Sequence, residues 1–122
     1  MFFNRRRHIL FIAIGFAWLM SACTGYNKLL KSSDLELKYS KTIELYEKEK
    51  YYKAYPLLEE LVTVYRGTAR AEKLAYMYAY TDYYLGDYLL AGHRFDQFAK
   101  TYPTSKFREE MQFMSAYCSY VL

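Results

Sequence analysis

Sliding the sequence against itself by 37 residues brings Tyr46 onto Tyr83, Tyr51 onto Tyr88, Ala54 onto Ala91, Leu58 onto Phe95, Leu61 onto Phe98 and Tyr65 onto Tyr102. All of these matches at one offset are apolar or aromatic. A period of this length restricts the fold, because a unit so short cannot bury its own apolar face and must stack on its neighbours. The chain carries only two prolines, Pro56 and Pro103, and its apolar spacing is helical, with no strand-like alternation. Helices are expected over residues 34–48, 51–65, 69–85, 88–101 and 105–122. The first should open near Asp34, where Ser33-Asp34-Leu35-Glu36 fits a capping box of hydroxyl and reaching carboxylate.

The residues before the repeats are of another kind. Arg5-Arg6-Arg7 precedes an apolar run from Ile9 to Met20, which at 12 residues is short of the roughly 20 that a spanning helix needs. A basic segment, a short apolar segment and the small pair Ser21-Ala22 have the layout of an export signal over residues 1–22. At the cut stands Cys23, and Met20-Ser21-Ala22-Cys23 resembles the bacterial lipobox, with Met20 in place of the usual Leu. Such a resemblance implies that the Cys23 thiol forms a thioether to a diacylglyceryl group and that cleavage frees its amine for a further acyl chain. Two chains give stable anchoring where one gives marginal binding. Residues 24–33 are then a polar tether.

Without the signal's three arginines the chain has 14 Lys and Arg against 13 Asp and Glu. That balance lacks the excess positive charge by which proteins hold nucleic acid, which is excluded as a partner. With Cys23 acylated, Cys118 has no partner for an internal disulfide and is expected to be a small buried hydrophobe. His93 is the only histidine left, and no motif surrounds it or Cys118. Neither clustered metal ligands nor a glycine-rich phosphate loop occurs. The chain is not expected to be an enzyme or to need a cofactor beyond the lipid.

The second repeat, "AYTDYYLGDYLLAGHRFDQFAKTYP" over residues 79–103, resembles a tetratricopeptide repeat. Ala79 and Ala91 take the small positions of its two helices, Leu85-Gly86-Asp87-Tyr88 the turn, and Phe95 and Pro103 the late aromatic and terminal proline. Gly86 ends the first helix with a residue free to take positive φ, and Pro103 stops the second. Asp82 departs from the pattern, standing where an aromatic is usual, and the first repeat has Glu49 at the Gly86 position and Pro56 inside its second helix. The resemblance implies an all-α fold, a short right-handed solenoid of helical hairpins, with two full repeats and an incomplete third over residues 34–122. Because the third lacks its second helix, Phe113, Met114, Tyr117, Cys118 and Val121 are expected to form a partly uncovered apolar patch. The chain therefore reads as an N-terminal fragment of a longer protein, with cover by another chain as the other possibility.

A lipobox, a short tether and repeats bearing "YYLGDY" and "FAKTYPTS" together resemble the BamD family, the lipoprotein of the β-barrel assembly machinery. "YRGTARAEKLAY" and the abundance of tyrosine are similar to its versions in Bacteroidetes-type bacteria. The resemblance implies a non-enzymatic scaffold, lipid-anchored on the periplasmic side of the outer membrane. Its implied partners are unfolded outer-membrane proteins and a BamA-type insertase.

In such repeats the first helix of each pair lines the concave surface. Here that register holds Tyr39, Ile43 and Tyr46, then Tyr76, Tyr80, Tyr83 and Tyr84, then Phe113, Tyr117 and Tyr120, an aromatic trough for client peptides. Aromatic rings give large contact area at low entropic cost, and phenols keep a polar handle. Ordinary inter-helix packing is the alternative for any one of these tyrosines. Ala75, Ala79, Ala91, Phe95 and Phe98 are assigned to the core. Two other functions fit the same features: a glycan- or nutrient-binding outer-membrane lipoprotein, and a scaffold for cell-wall enzymes or pili. Against the first, the only tryptophan, Trp18, lies in the signal.

Overall fold

A computed structural model describes residues 25–122. Cys23 and the export signal expected over residues 1–22 lie outside the described residues. Two units divide the chain after Asp34. In the first, residues 25–31 form a helix, α1, so the expected tether is helical over most of its length. Ser32 ends this stretch and its hydroxyl accepts the Asp34 N–H at 3.1 Å.

The second unit holds α2 (Leu35–Glu47), α3 (Tyr51–Val64), α4 (Ala71–Tyr84), α5 (Tyr88–Thr101) and α6 (Arg108–Val121). No strand occurs among the described residues. Each helix packs on its neighbours in the chain, the all-α arrangement of tetratricopeptide-like hairpins.

The repeat is written into the backbone as well as the sequence. At the end of α2 the Lys50 N–H reaches the Leu45 carbonyl at 2.8 Å and the Glu49 N–H reaches that of Tyr46 at 2.9 Å. At the end of α4 the Asp87 N–H reaches Asp82 at 3.0 Å and the Gly86 N–H reaches Tyr83 at 3.0 Å. These are two Schellman caps, 37 residues apart, and each needs a residue at positive φ. Gly86 supplies it at φ 83 without steric cost, whereas Glu49 is held at φ 58 with a side chain. Asp87 then starts α5 at once, its carboxylate accepting the Leu90 N–H at 3.1 Å.

Two apolar clusters form the core, and α4 serves both. Leu74, Met77 and Tyr78 pack with Ala54, Leu58 and Leu61 of α3. Ala79 and Tyr80 pack with Ala91, Phe95 and Phe98 of α5 and with Met111 and Cys118 of α6. A helix sandwiched in this way is buried nearly all round, and every residue from Met77 to Asp82 is buried. Of the residues assigned to the core, Ala79, Ala91, Phe95 and Phe98 are buried, while Ala75 is half-buried.

Helix α6 begins at Arg108 and not at Ser105. The Ser105 hydroxyl is engaged elsewhere, donating to Glu72 of α4 at 2.6 Å and accepting the Phe107 N–H at 3.1 Å. Along the rest of α6, a Cβ placed on Gly92 of α5 would stand 3.1 Å from the Cys118 Cβ, and the Ser115 hydroxyl bonds the Gly92 carbonyl at 3.0 Å. This close approach corrects part of the expected patch: Cys118 is fully buried against α5, and Phe113 and Tyr117 remain exposed.

Candidate functional site

Helices α2 and α4 are the first members of the two pairs and α6 follows them, and the rings of all three meet in one run. Tyr46 of α2 lies edge-on to Tyr51 at 5.5 Å, and Tyr51 stacks on Tyr84 of α4 at 4.5 Å. From Tyr84 the run continues to Tyr80 at 5.8 Å, Tyr76 at 4.8 Å from Tyr80, and Phe107 at 4.8 Å from Tyr76. A second branch goes from Tyr84 to Tyr83 at 5.6 Å, to Tyr117 of α6 at 6.4 Å, and to Phe113 at 6.3 Å. The spacing of i and i+4 on α4 places Tyr76, Tyr80 and Tyr84 in line on one face.

Within this run the residues differ in depth. Tyr84, Phe113 and Tyr117 are exposed, Tyr46, Tyr76 and Tyr83 are half-buried, and Tyr80 retains 9% of its surface. The expectation of an open groove position for Tyr80 is thus corrected: its ring meets Phe95 at 5.0 Å and belongs to the core. Two other expected members stand apart. Tyr39 packs on Tyr65 at 5.7 Å beneath the Arg70 guanidinium, 4.2 Å from its ring, and Arg70 is held by Glu36 at 2.6 Å. Tyr120 is exposed and makes no ring contact with the described residues.

Sequence reasoning left Tyr51 and Phe107 out of the trough. For Tyr51 the signal was present, since Tyr46 on Tyr51 and Tyr83 on Tyr88 are the same pair one period apart, the latter at 5.4 Å. For Phe107 it was not, because that ring is carried by the turn that Ser105 diverts toward α4.

Polar handles are fixed at the floor. The Tyr76 hydroxyl donates to Glu110 Oε1 at 3.0 Å, and the Tyr80 hydroxyl donates to the same oxygen. Burial, and then the Glu110 hydrogen bond, push both phenols above their ordinary value. Burial raises Tyr46 as well. The Tyr76 and Tyr80 protons therefore stay on the phenols and are committed to Glu110. Beside it a groove of about 440 Å³ opens between α2 and α4, with Ile43, Tyr46, Tyr76, Met77 and Phe107 as its apolar lining and Glu47, Glu72 and Lys73 as its charged residues.

A larger depression, about 620 Å³, lies between α3, α4 and α5 and holds none of the expected site residues. Among its lining groups is Arg94, which is ion-paired with the buried Asp82 and lies 3.7 Å from the Tyr78 ring. Burial pushes the Asp82 carboxyl above the ordinary range, with Arg94 pulling the other way. A charge pair that satisfies itself is a structural tie, so the smaller aromatic groove is the better candidate. Asp82, the departure from the repeat pattern, is explained by this pairing.

No group of three or more His, Cys, Asp or Glu side chains that could hold a metal ion occurs among the described residues. Nor is any described helix long and apolar enough to cross a membrane. The trough suits an extended polypeptide: rings for side chains, and at its rim the exposed phenols of Tyr84 and Tyr117 for backbone carbonyls.

Comparison with curated proteins and with solved structures found no match. A family model described as "YfiO: Outer membrane lipoprotein" matches residues 32–121, nearly all of the described chain. This protein therefore belongs to the YfiO family, the BamD-like outer membrane lipoproteins.

Proposed function

We propose that the protein is a non-enzymatic scaffold, anchored by lipid on Cys23 to the periplasmic side of the outer membrane. It holds segments of unfolded outer-membrane proteins in the aromatic trough and passes them to a barrel-forming insertase of the BamA type. The observation that carries this reading is the continuous run of rings from Tyr46 through Tyr84 to Phe113, which joins both helix pairs and α6 into one surface. A surface of rings and phenol donors is tolerant of sequence. Each ring has an apolar face for any side chain, and the exposed phenols of Tyr84 and Tyr117 can meet any backbone carbonyl. Tolerance of that kind is what a receiver of many different clients requires, as promiscuous binding surfaces show.

The partner half of this reading is tested by pulling the tagged full chain from detergent-solubilised outer membranes. Recovery of a barrel-forming insertase with it supports the scaffold role. Recovery of cell-wall enzymes in its place would refute it.

A further inference from the structure

Glu110 stands among rings from two helices. Its Oε1 accepts the hydroxyls of Tyr76 and Tyr80 of α4, and on its own helix Phe113 and Tyr117 follow at i+3 and i+7, on the same face. Phe107, just ahead of α6, lies 4.8 Å from the Tyr76 ring. The charge is also felt on α2, since Glu110 is among the groups that raise the Tyr46 phenol.

Both donors at Oε1 are neutral and leave the negative charge uncompensated. Among the described residues no other hydrogen bond and no ion pair reaches Glu110, so Oε2 keeps its lone pairs for a further donor. The side chain is exposed and within reach of one. Other acids tied to a neighbouring element are met by a cation: Glu36 by Arg70, Glu60 by Lys38 and Asp82 by Arg94. Glu72 and Glu110 are held by hydroxyls alone. Of the bases close in sequence, Lys106 lies with its Nζ 4.9 Å from the Phe107 ring, and Arg108, two residues before Glu110, is off its face of the helix. Lys73, in the groove beside Tyr76, is accompanied there by Glu47 and Glu72, which leaves no excess of positive charge to repel a base.

We infer that the Glu110 carboxylate receives a basic side chain, lysine or arginine, of the segment lying in the trough. The inference rests on the trough as the client-receiving surface and gives its clients a chemical feature, a base close to an aromatic residue. A backbone N–H would satisfy Oε2 but not its charge. Aromatic rings present a negative face, which favours a cation over a neutral donor, and the apolar stem of lysine or arginine lies along them. In an extended segment, side chains on one side recur at every second residue, about 7 Å apart. A base on Glu110 therefore brings an aromatic residue two positions away toward the groove that Tyr76 and Phe107 line. Exposure keeps the gain moderate. An exposed ion pair improves affinity by up to about fivefold and a cation over an exposed ring by about two- to fivefold, so about tenfold is expected from the two together.

The test follows, by fluorescence anisotropy, the binding of an extended peptide with phenylalanine and lysine at alternate positions to the full chain in detergent. A second peptide has Nε-acetyl-lysine in place of lysine, which keeps the stem and removes the charge. The lysine peptide should bind about tenfold more tightly at low salt, and the difference should narrow as salt is added. In Glu110→Gln, whose amide oxygen still accepts the two phenols, the two peptides should bind alike. Independently of any variant, a carbodiimide, which couples an amine to a carboxylate in contact with it, should join the peptide lysine to Glu110 in the parent chain, as mass spectrometry would show. Equal affinity of the two peptides for the parent would overturn the inference while leaving the trough as the receiving surface. So would a preference for lysine that survives in folded Glu110→Gln, or cross-links confined to other acids. Failure of both peptides to bind would overturn the trough reading, and the inference with it.

Discussion

The Tyr76 hydroxyl donates to Glu110 Oε1 at 3.0 Å, and Tyr80 donates to the same oxygen. One carboxylate of α6 thus fixes two phenols of α4 at the floor of the trough. In Glu110→Ala the half-buried Tyr76 can turn to water, but the Tyr80 hydroxyl is left without its partner. The expected loss is about 1.5–3 kcal/mol, on the scale for hydrogen bonds to charged groups. It should appear as a lower urea midpoint with unchanged slope, and Glu110→Gln, which keeps an acceptor, should lose less.

Removing Arg94 isolates the carboxylate of Asp82, which is 1% exposed. Arg94→Met should cost about 3 kcal/mol or more at neutral pH, as for other broken buried pairs. Asp82→Asn should cost less, because Arg94 retains access to solvent. Burial already raises the Asp82 carboxyl, and loss of Arg94 raises it further. An acid whose folded-state value stands above its unfolded one binds more protons when folded, so stability falls as pH rises between the two values. The Arg94→Met penalty should therefore shrink as the pH is lowered toward the ordinary carboxylate range, which chemical denaturation across that range would record.

Glu49→Gly should stabilise the protein. Glu49 is the one non-glycine residue at positive φ among the described residues, at the position that Gly86 takes one period later. Relief of that strain should raise stability by about 0.5–1 kcal/mol, less what glycine costs in the unfolded chain. A gain in Tm checks it, and Glu49→Ala, which keeps a Cβ, should show no gain.

The repeat offset made the helices legible, because period, caps and small residues all obey the same register. The ends of α2 and α4 fall within one residue of their expected places for that reason. What the register could not show was anything made by contacts outside it. Ser105 is claimed by Glu72 and delays α6, and Asp82 is paired with Arg94, 12 residues on. Depth was equally hidden. Tyr76, Tyr80 and Tyr84 share one face, and the sequence alone does not tell that Phe95 covers the middle one. Tyr39 follows the periodicity of its helix but is captured by Arg70 and Tyr65.

The proposed anchor depends on one thiol. Cys23→Ser should leave the chain without lipid and uncut by the lipoprotein peptidase, accumulating as a precursor. Palmitate labelling followed by electrophoresis reads both effects, and undiminished labelling of the variant would remove the assignment.

The depth of the rings separates stability from binding. Tyr80→Ala should cost about 3 kcal/mol, as large-to-small changes in a core do. Tyr84→Ala and Tyr117→Ala, at 51% and 40% exposure, should cost roughly 1 kcal/mol or less on surface-substitution scales. The most direct measurement is the affinity of the full chain, and of these two exposed-ring variants, for a peptide matching the aromatic-ended C-terminal strand of an outer-membrane barrel. Loss of a hot-spot aromatic typically costs 2 kcal/mol or more in binding, so each variant should bind at least about tenfold more weakly while its unfolding midpoint stays close to that of the parent. Unchanged affinity in both variants, with the fold intact, would contradict the assignment of the trough as the client-receiving surface.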